Sequence, residues 1–438
     1  MTEKSVKTMA VVLALTFLGA APAARSAQQA QQTQQPSYTM PEYNGFRNCQ
    51  DEKDPQMAVR CLDGFVAQFP NSTLLQYVYQ LYYQKYYDLK NYAKTLDNAD
   101  KLVALGDKAD LSMRLTAVRA RIQVFPLAFD AKGDTAAQYT KERDAAQAGI
   151  KLVQQAKNAP GSTVTDEQYK TALAPYYAAA GLASYQLKDN AAAVEFFKSA
   201  LANNPNDGLS EYRMGVAYLA MNPAQSLDGF WALARSIQLK IPDAQKVKDY
   251  LRAQVLHYEQ PQCETVVDAQ VNELLQLAAG ATERPASFSI PTTNDLQKIQ
   301  QASTIVTMLS DLQAGGDKAK MTWLALCGAE FPEVVGKIID VSSADNAVVF
   351  HVFTDADQNK MQEATTANME VKVPGQPEAA RLAKDDPIRF SGTVASYDAQ
   401  PFMLHWDQGK VDPTIIPVEK GTPARRPARK PAAKSPGQ

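Results

Sequence analysis

Histidine is nearly missing from this chain: three in 438 residues, His257, His351 and His405, far apart in sequence. General acid–base chemistry and metal ligation lean on histidine, so this scarcity already narrows the function classes open to the protein. No H-E-x-x-H, G-x-S-x-G, P-loop or G-x-G-x-x-G pattern occurs, which removes the zincin, hydrolase, nucleotidase and dinucleotide-binding signatures. Cysteine is also sparse. The four present, Cys49, Cys61, Cys263 and Cys327, show no C-x-x-C spacing, so neither a zinc ribbon nor a thioredoxin-like redox motif is supported. Charge of one sign is lacking too: 45 Lys and Arg stand against 47 Asp and Glu. A net charge of −2 gives no global field that would select nucleic acid or an acidic polymer. Beyond residue 19 no apolar run is long enough to cross the ~30 Å hydrocarbon layer, so an integral membrane protein is not expected.

What is present begins with an export pattern. Lys4 and Lys7 precede an apolar stretch over residues 9–19, followed by small residues at Ala21 and Ala23 and again at Ala24 and Ser26. This reads as a signal peptide over residues 1–26 with no lipid-anchoring cysteine, placing the protein in the periplasm or outside the cell. A glutamine-rich, apolar-poor linker follows over residues 27–42. An oxidising compartment permits disulfides, and four cysteines allow three pairings that the sequence does not decide between. Cys49–Cys61 is favoured because it closes a short loop, which leaves Cys263–Cys327 to tie the later helices together.

Residues 43–279 have helical spacing throughout, with breaks expected at Pro70, Gly106, Pro126, Pro160, Pro205 and Pro242. Sliding the chain against itself by 34 residues places Gly181 on Gly215, Phe196 on Phe230, Phe197 on Trp231 and Ala200 on Ala234. That period is the mark of stacked helical hairpins. The small residues let paired helices approach, and the aromatics fill the gap between successive hairpins. In the two clearest units, 174–207 and 208–241, the positions Gly181, Ala193, Phe197, Ala200, Pro205, Gly215, Tyr218, Trp231 and Ala234 resemble the tetratricopeptide repeat family. Departures are Ser184 where that family has Tyr, Leu227 where it has Ala, and a proline delayed to Pro242. Fainter units run through Tyr79, Tyr83, Tyr86, Ala99 and Leu102, and before them Ala58, Leu62, Phe65 and Pro70. The six tyrosines Tyr77, Tyr79, Tyr82, Tyr83, Tyr86 and Tyr87 point to nearly every side of one helix and read chiefly as packing.

Linker and connecting helices are expected over residues 280–331, and from Pro332 the period becomes two. Candidate strands cover 334–341, 347–353, 369–373, 388–397 and 402–406, with a short helical stretch over 378–383 between the third and fourth. Five strands with a helix in that slot resemble the OB-fold barrel, over residues 332–418. Another small barrel, SH3-like, is the alternative. Asp355, Asp357 and Asn359 have calcium-loop spacing, but Lys360 and Thr366 occupy the positions that demand Gly and Glu. That segment reads as a solvated turn. A basic, proline-rich disordered tail ends the chain over residues 419–438, suited to weak contact with anionic surfaces.

The fold class is therefore mainly α: a TPR-like helical-hairpin solenoid followed by a small OB-like β-barrel. By resemblance, the concave face of the solenoid takes protein or peptide segments. The inward positions would be Ala178, Leu182, Tyr185 and Gln186, then Leu209, Tyr212, Arg213, Val216 and Leu219. Their chemistry is apolar and aromatic with one arginine, not a set of lysines gripping a terminal carboxylate. No catalytic, metal or cofactor residues are expected, nucleic acid is not favoured, and the function read is a non-enzymatic interaction scaffold of the bacterial cell envelope. The competing reading is a barrel that recognises a glycan or cell-wall fragment.

Overall fold

A computed structural model describes residues 38–344 and 346–418. The signal segment, most of the glutamine-rich linker and the basic tail lie outside the described residues. The helical part comprises α1 (Met40–Asp51), α2 (Pro55–Gln68), α3 (Leu75–Asp88), α4 (Tyr92–Ala104), α5 (Leu111–Ala128), α6 (Thr135–Asn158), α7 (Asp166–Gln186), α8 (Asn190–Asn203), α9 (Gly208–Leu219) and α10 (Ser226–Gln238). It continues through α11 (Ala244–Glu259), α12 (Thr265–Gly280), α13 (Thr293–Ala302), α14 (Ile305–Ala314) and α15 (Gly316–Leu326). Then come β1 (Glu330–Ala344), β2 (Ala347–Phe353), the short α16 (Gln358–Glu363), β3 (Met369–Pro374), β4 (Pro387–Ala399) and β5 (Phe402–Val411).

Consecutive helices pack as antiparallel hairpins, and the recurring small residues explain how. A Cβ at Gly181 would lie 2.7 Å from the Phe197 ring, and one at Gly215 would lie 3.0 Å from the Gly229 carbonyl and from Leu233. So α7 presses on α8, and α9 on α10, at distances that exclude any side chain. Phe197 is fully buried among Ala193, Val194, Ala217 and Tyr218, bridging the α7–α8 hairpin to α9. Between α4, α5 and α6 a buried ion-paired group sits beside the apolar contacts: Arg121 is held by Asp100 at 3.0 Å and by Glu142. Burial raises the Glu142 pKa and Arg121 opposes the rise.

The strands close into a barrel in the order β1-β2-β3-β5-β4, with β4 returning to β1 and β3 running parallel to β5. That is an OB-like arrangement. Its interior is filled by Phe350, Phe390, Leu404 and Trp406, all essentially buried. Cys49 is joined to Cys61, linking α1 to α2, and Cys263 to Cys327, linking the start of α12 to the end of α15.

Several expected boundaries move. Helix α1 starts inside the expected linker because Thr39 and Glu42 form a reciprocal capping box with Pro41 just after it. Strand β1 begins two residues before Pro332, since a register shift between Phe331 and Val334 accommodates the proline. Pro126 sits within α5, and Pro175 within α7, so neither breaks its helix where a proline rule would place the end. The stretch expected over 378–383 is a 3₁₀ helix, Pro377–Arg381, too short to become α. The calcium-spaced acids initiate a helix: Asp357 caps α16 by accepting from the Asn359 amide at 2.9 Å.

Candidate functional site

Helices α7, α9 and α11 are the first members of three successive hairpins, so their outer faces line one side of the array. Leu182 and Tyr185 on α7 are half-buried at the rim of the Phe197 cluster, with Gln186 exposed beside them. Ala178, one turn before Leu182, is half-buried as well. On α9, Leu209 is 44% exposed, an uncommon state for leucine next to a core. Tyr212 and Val216 are half-buried against the core that begins at Phe230. Leu219 behaves differently. A Cβ at Gly229 would sit 2.8 Å from its side chain, so Leu219 fills the contact between α9 and α10 and is not a groove anchor.

Tyr185, Tyr212 and Tyr250, one from each first helix, come together on this face. Burial raises the pKa of Tyr212 and of Tyr250, and the neighbouring tyrosines push in the same direction. Tyr250 was missed in the sequence, although the signal was there: one more step of 34 residues carries Leu182 to Val216 and Val216 to Tyr250. Arg213 lies among Asp207, Tyr212 and Tyr139; burial lowers its pKa, and these neighbours work against the lowering. Lys188 lies 5.8 Å from the Tyr185 ring centroid. The face is thus a patch of phenols and aliphatic side chains with an embedded guanidinium. It can seat apolar or aromatic side chains and donate hydrogen bonds from phenols.

The barrel holds a second polar arrangement. In register across the sheet, His351 on β2 pairs with Glu370 on β3, and Glu370 with His405 on β5. His405 Nδ1 lies 3.2 Å from Glu370 Oε1 and its Nε2 lies 3.0 Å from Asp398 Oδ2. His351 Nε2 is 3.5 Å from the other Glu370 oxygen. Two histidines separated by 54 positions thus share one carboxylate, because β3 and β5 are neighbours. Among the described residues no group of three or more His, Cys, Asp or Glu has the geometry to hold a metal ion. His257 is exposed on α11. No described helix is long and apolar enough to cross a membrane.

No family model and no curated protein matches this sequence. Among solved structures, the chain is similar to the C-terminal part of a TPR repeat-containing protein from Cytophaga hutchinsonii. That likeness covers 55% of this chain and 91% of the other, at 17% identity and a TM-score of 0.23. The fold as described rests on the hairpins and the barrel themselves.

Proposed function

We propose that this protein is an exported, non-enzymatic scaffold of the bacterial cell envelope, built on tetratricopeptide-type hairpins, whose α7–α9–α11 face holds a segment of a partner protein. The observation that carries this reading is the cluster of Leu209, Tyr185, Tyr212 and Tyr250 left half-covered on three successive first helices. Apolar and aromatic side chains at the edge of a packed core are what hot spots are made from. Replacing Tyr212 and Leu182 by Ala together should weaken capture of the partner from envelope extracts by about tenfold or more, with the helical circular-dichroism signal intact. Unchanged capture would move the binding surface elsewhere. Export is tested separately, by fractionating cells that carry the full chain and sequencing the mature N-terminus.

A second reading places ligand recognition on the barrel, and one observation favours it: the His351–Glu370–His405–Asp398 strip crosses β2, β3, β5 and β4, and OB barrels use the face of their second and third strands for oligosaccharides. Soluble cell-wall fragments that bind the full chain, and lose binding on His405→Ala, would favour it over the scaffold.

A further inference from the structure

The last residue of α11 is a buried acid. Glu259 has no exposed surface, and Gln270 on α12 is only 5% exposed beside it. Gln270 Nε2 donates to Glu259 Oε1 at 2.5 Å. The two remaining oxygens of the pair, Glu259 Oε2 and Gln270 Oε1, are buried with no hydrogen-bond partner among the described residues. An ionised carboxyl leaves both as acceptors without a donor, which buried polar groups rarely tolerate. One proton on Oε2 supplies the missing donor and offers it to Gln270 Oε1. Acid and amide then bond to each other twice, and both orphaned oxygens are accounted for together.

The surroundings favour that proton. Burial pushes the Glu259 carboxyl up from 4.5 to about 7, while the Gln270 amide and Lys320 of α15 oppose the rise. Lys320 is itself paired with Glu273 of α12. On α11, His257 is exposed and Arg252 is turned to Glu264 and Asp268; Asp295 of α13 acts with Glu259 on Tyr258 and adds negative charge. Glu259 also ends its helix, and a helix C-terminus is the negative end of the helix dipole. Position gives the proton a consequence. Only Gln260, in left-handed backbone, Pro261 and Gln262 separate Glu259 from Cys263, which is bonded to Cys327 just after α15. The next residue, Gly328, comes so near that a Cβ there would lie 3.3 Å from the Gln262 backbone, and its N–H donates to the Val394 carbonyl of β4. The pair therefore holds the corner at which helices and barrel are joined. We propose that Glu259 and Gln270 form a pH-operated latch on this corner, closed as a neutral acid–amide pair and released when the Glu259 proton leaves. Its contribution is full below pH 4.5, falls as pH rises to about 7 and is level above.

Hydrogen exchange on the full chain tests the latch. Between pH 6 and pH 8 the protection factors of amides 256–260 should fall about tenfold in the parent, the drop that a carboxyl titrating at 4.5 when released and at 7 when latched produces. In Glu259→Gln, whose amide can keep both bonds with Gln270 at every pH, they should stay level. Read on the parent alone, the drop should be larger at 256–260 than at the amides of α2, so the result does not hang on how well the variant folds. Infrared difference spectra of parent against variant should show the carbonyl band of a neutral carboxylic acid at pH 6 and lose it by pH 9. The proposal is overturned if the parent's protection holds level from pH 6 to pH 8 or drops no more than at α2, if Glu259→Gln falls with it, or if the acid band is missing at pH 6.

Discussion

A methyl group added at Gly181 would place a carbon 2.7 Å from the Phe197 ring, whereas one added at Gly64, on the exposed side of α2, would meet nothing within 4 Å. Gly181→Ala should therefore cost about 1–3 kcal/mol through overpacking. Gly64→Ala should add about 0.5–1 kcal/mol by lowering the entropy of the unfolded chain. Urea midpoints of the two variants should move in opposite directions; matching shifts would mean that Gly181 is not at a close approach. Glu211 offers a pH test. It is 7% exposed on α9, opposite Arg235 on α10, and burial raises its pKa from 4.5 to about 7 while Arg235 opposes the rise. The folded protein then keeps a proton that the unfolded chain has lost between those values. Its contribution is greatest below pH 4.5, falls as pH rises towards 7 and is level above. The loss is at most about 3 kcal/mol. Glu211→Gln should remove it, so the variant's urea midpoint should gain on the parent's between pH 5 and pH 8. At this scale the sequence was legible where one residue makes one obligatory contact, as with Gly181, Phe197 and Ala200. It was not legible where a residue chooses between two neighbours: Leu219 lies on the right stripe of α9 but turns into α10.

Helices and strands were easier to read than their joins, because spacing reports which face is buried but not what covers it. The five candidate strands lie within the five observed, yet the register that brings His351 and His405 to one carboxylate depends on β5 inserting beside β3, which no local pattern encodes. Disulfides bear on the same question of how elements are joined. Cys49–Cys61 spans 12 residues and Cys263–Cys327 spans 64. Loop-closure entropy assigns them about 3 and about 4 kcal/mol respectively. Replacing Cys263 and Cys327 by Ser should lower the thermal midpoint more than replacing Cys49 and Cys61. A larger loss from the short loop would show that native contacts, and not chain entropy, set the effect. The Arg121 cluster adds buried ion pairs to the apolar contacts that join α4, α5 and α6. Burial raises the Glu142 pKa to about 8 even beside Arg121, so Arg121→Met, which leaves Glu142 buried without its cation, should lower the urea midpoint most above pH 8. Acidification should recover part of that loss, since protonating the carboxyl removes the uncompensated charge.

A stack of hairpins and a closed barrel distribute stability in different ways. Each hairpin of the array depends on its neighbours, so unfolding can begin anywhere and spread. In the barrel β4 closes on β1, leaving no free edge among its five strands. The two share one buried core that runs from Phe230 and Trp231 on α10 through α11–α15 to Trp406 in the barrel. Trp323 on α15 packs against Tyr397 with ring centroids 5.0 Å apart, and Val394 exchanges backbone hydrogen bonds with Gly328 and Ala329. A shared core of this kind couples its parts, so α10–α15 and the barrel should melt together. Tryptophan makes this measurable, because Trp231 is buried in α10 and Trp406 in the barrel core. In variants keeping only Trp231 or only Trp406, with Phe at the other positions, urea should give one common fluorescence midpoint; two separate midpoints would mean that the barrel melts independently of α10. The same pair of reporters bears on the scaffold reading. A partner segment seated on α7, α9 and α11 stabilises by mass action the cooperative unit that binds it, and α11 belongs to the core shared with the barrel. Saturating partner should raise both midpoints together and lose that shift on Tyr212→Ala, whereas a shift caused by a glycan held by the His405 strip should survive Tyr212→Ala and be lost on His405→Ala.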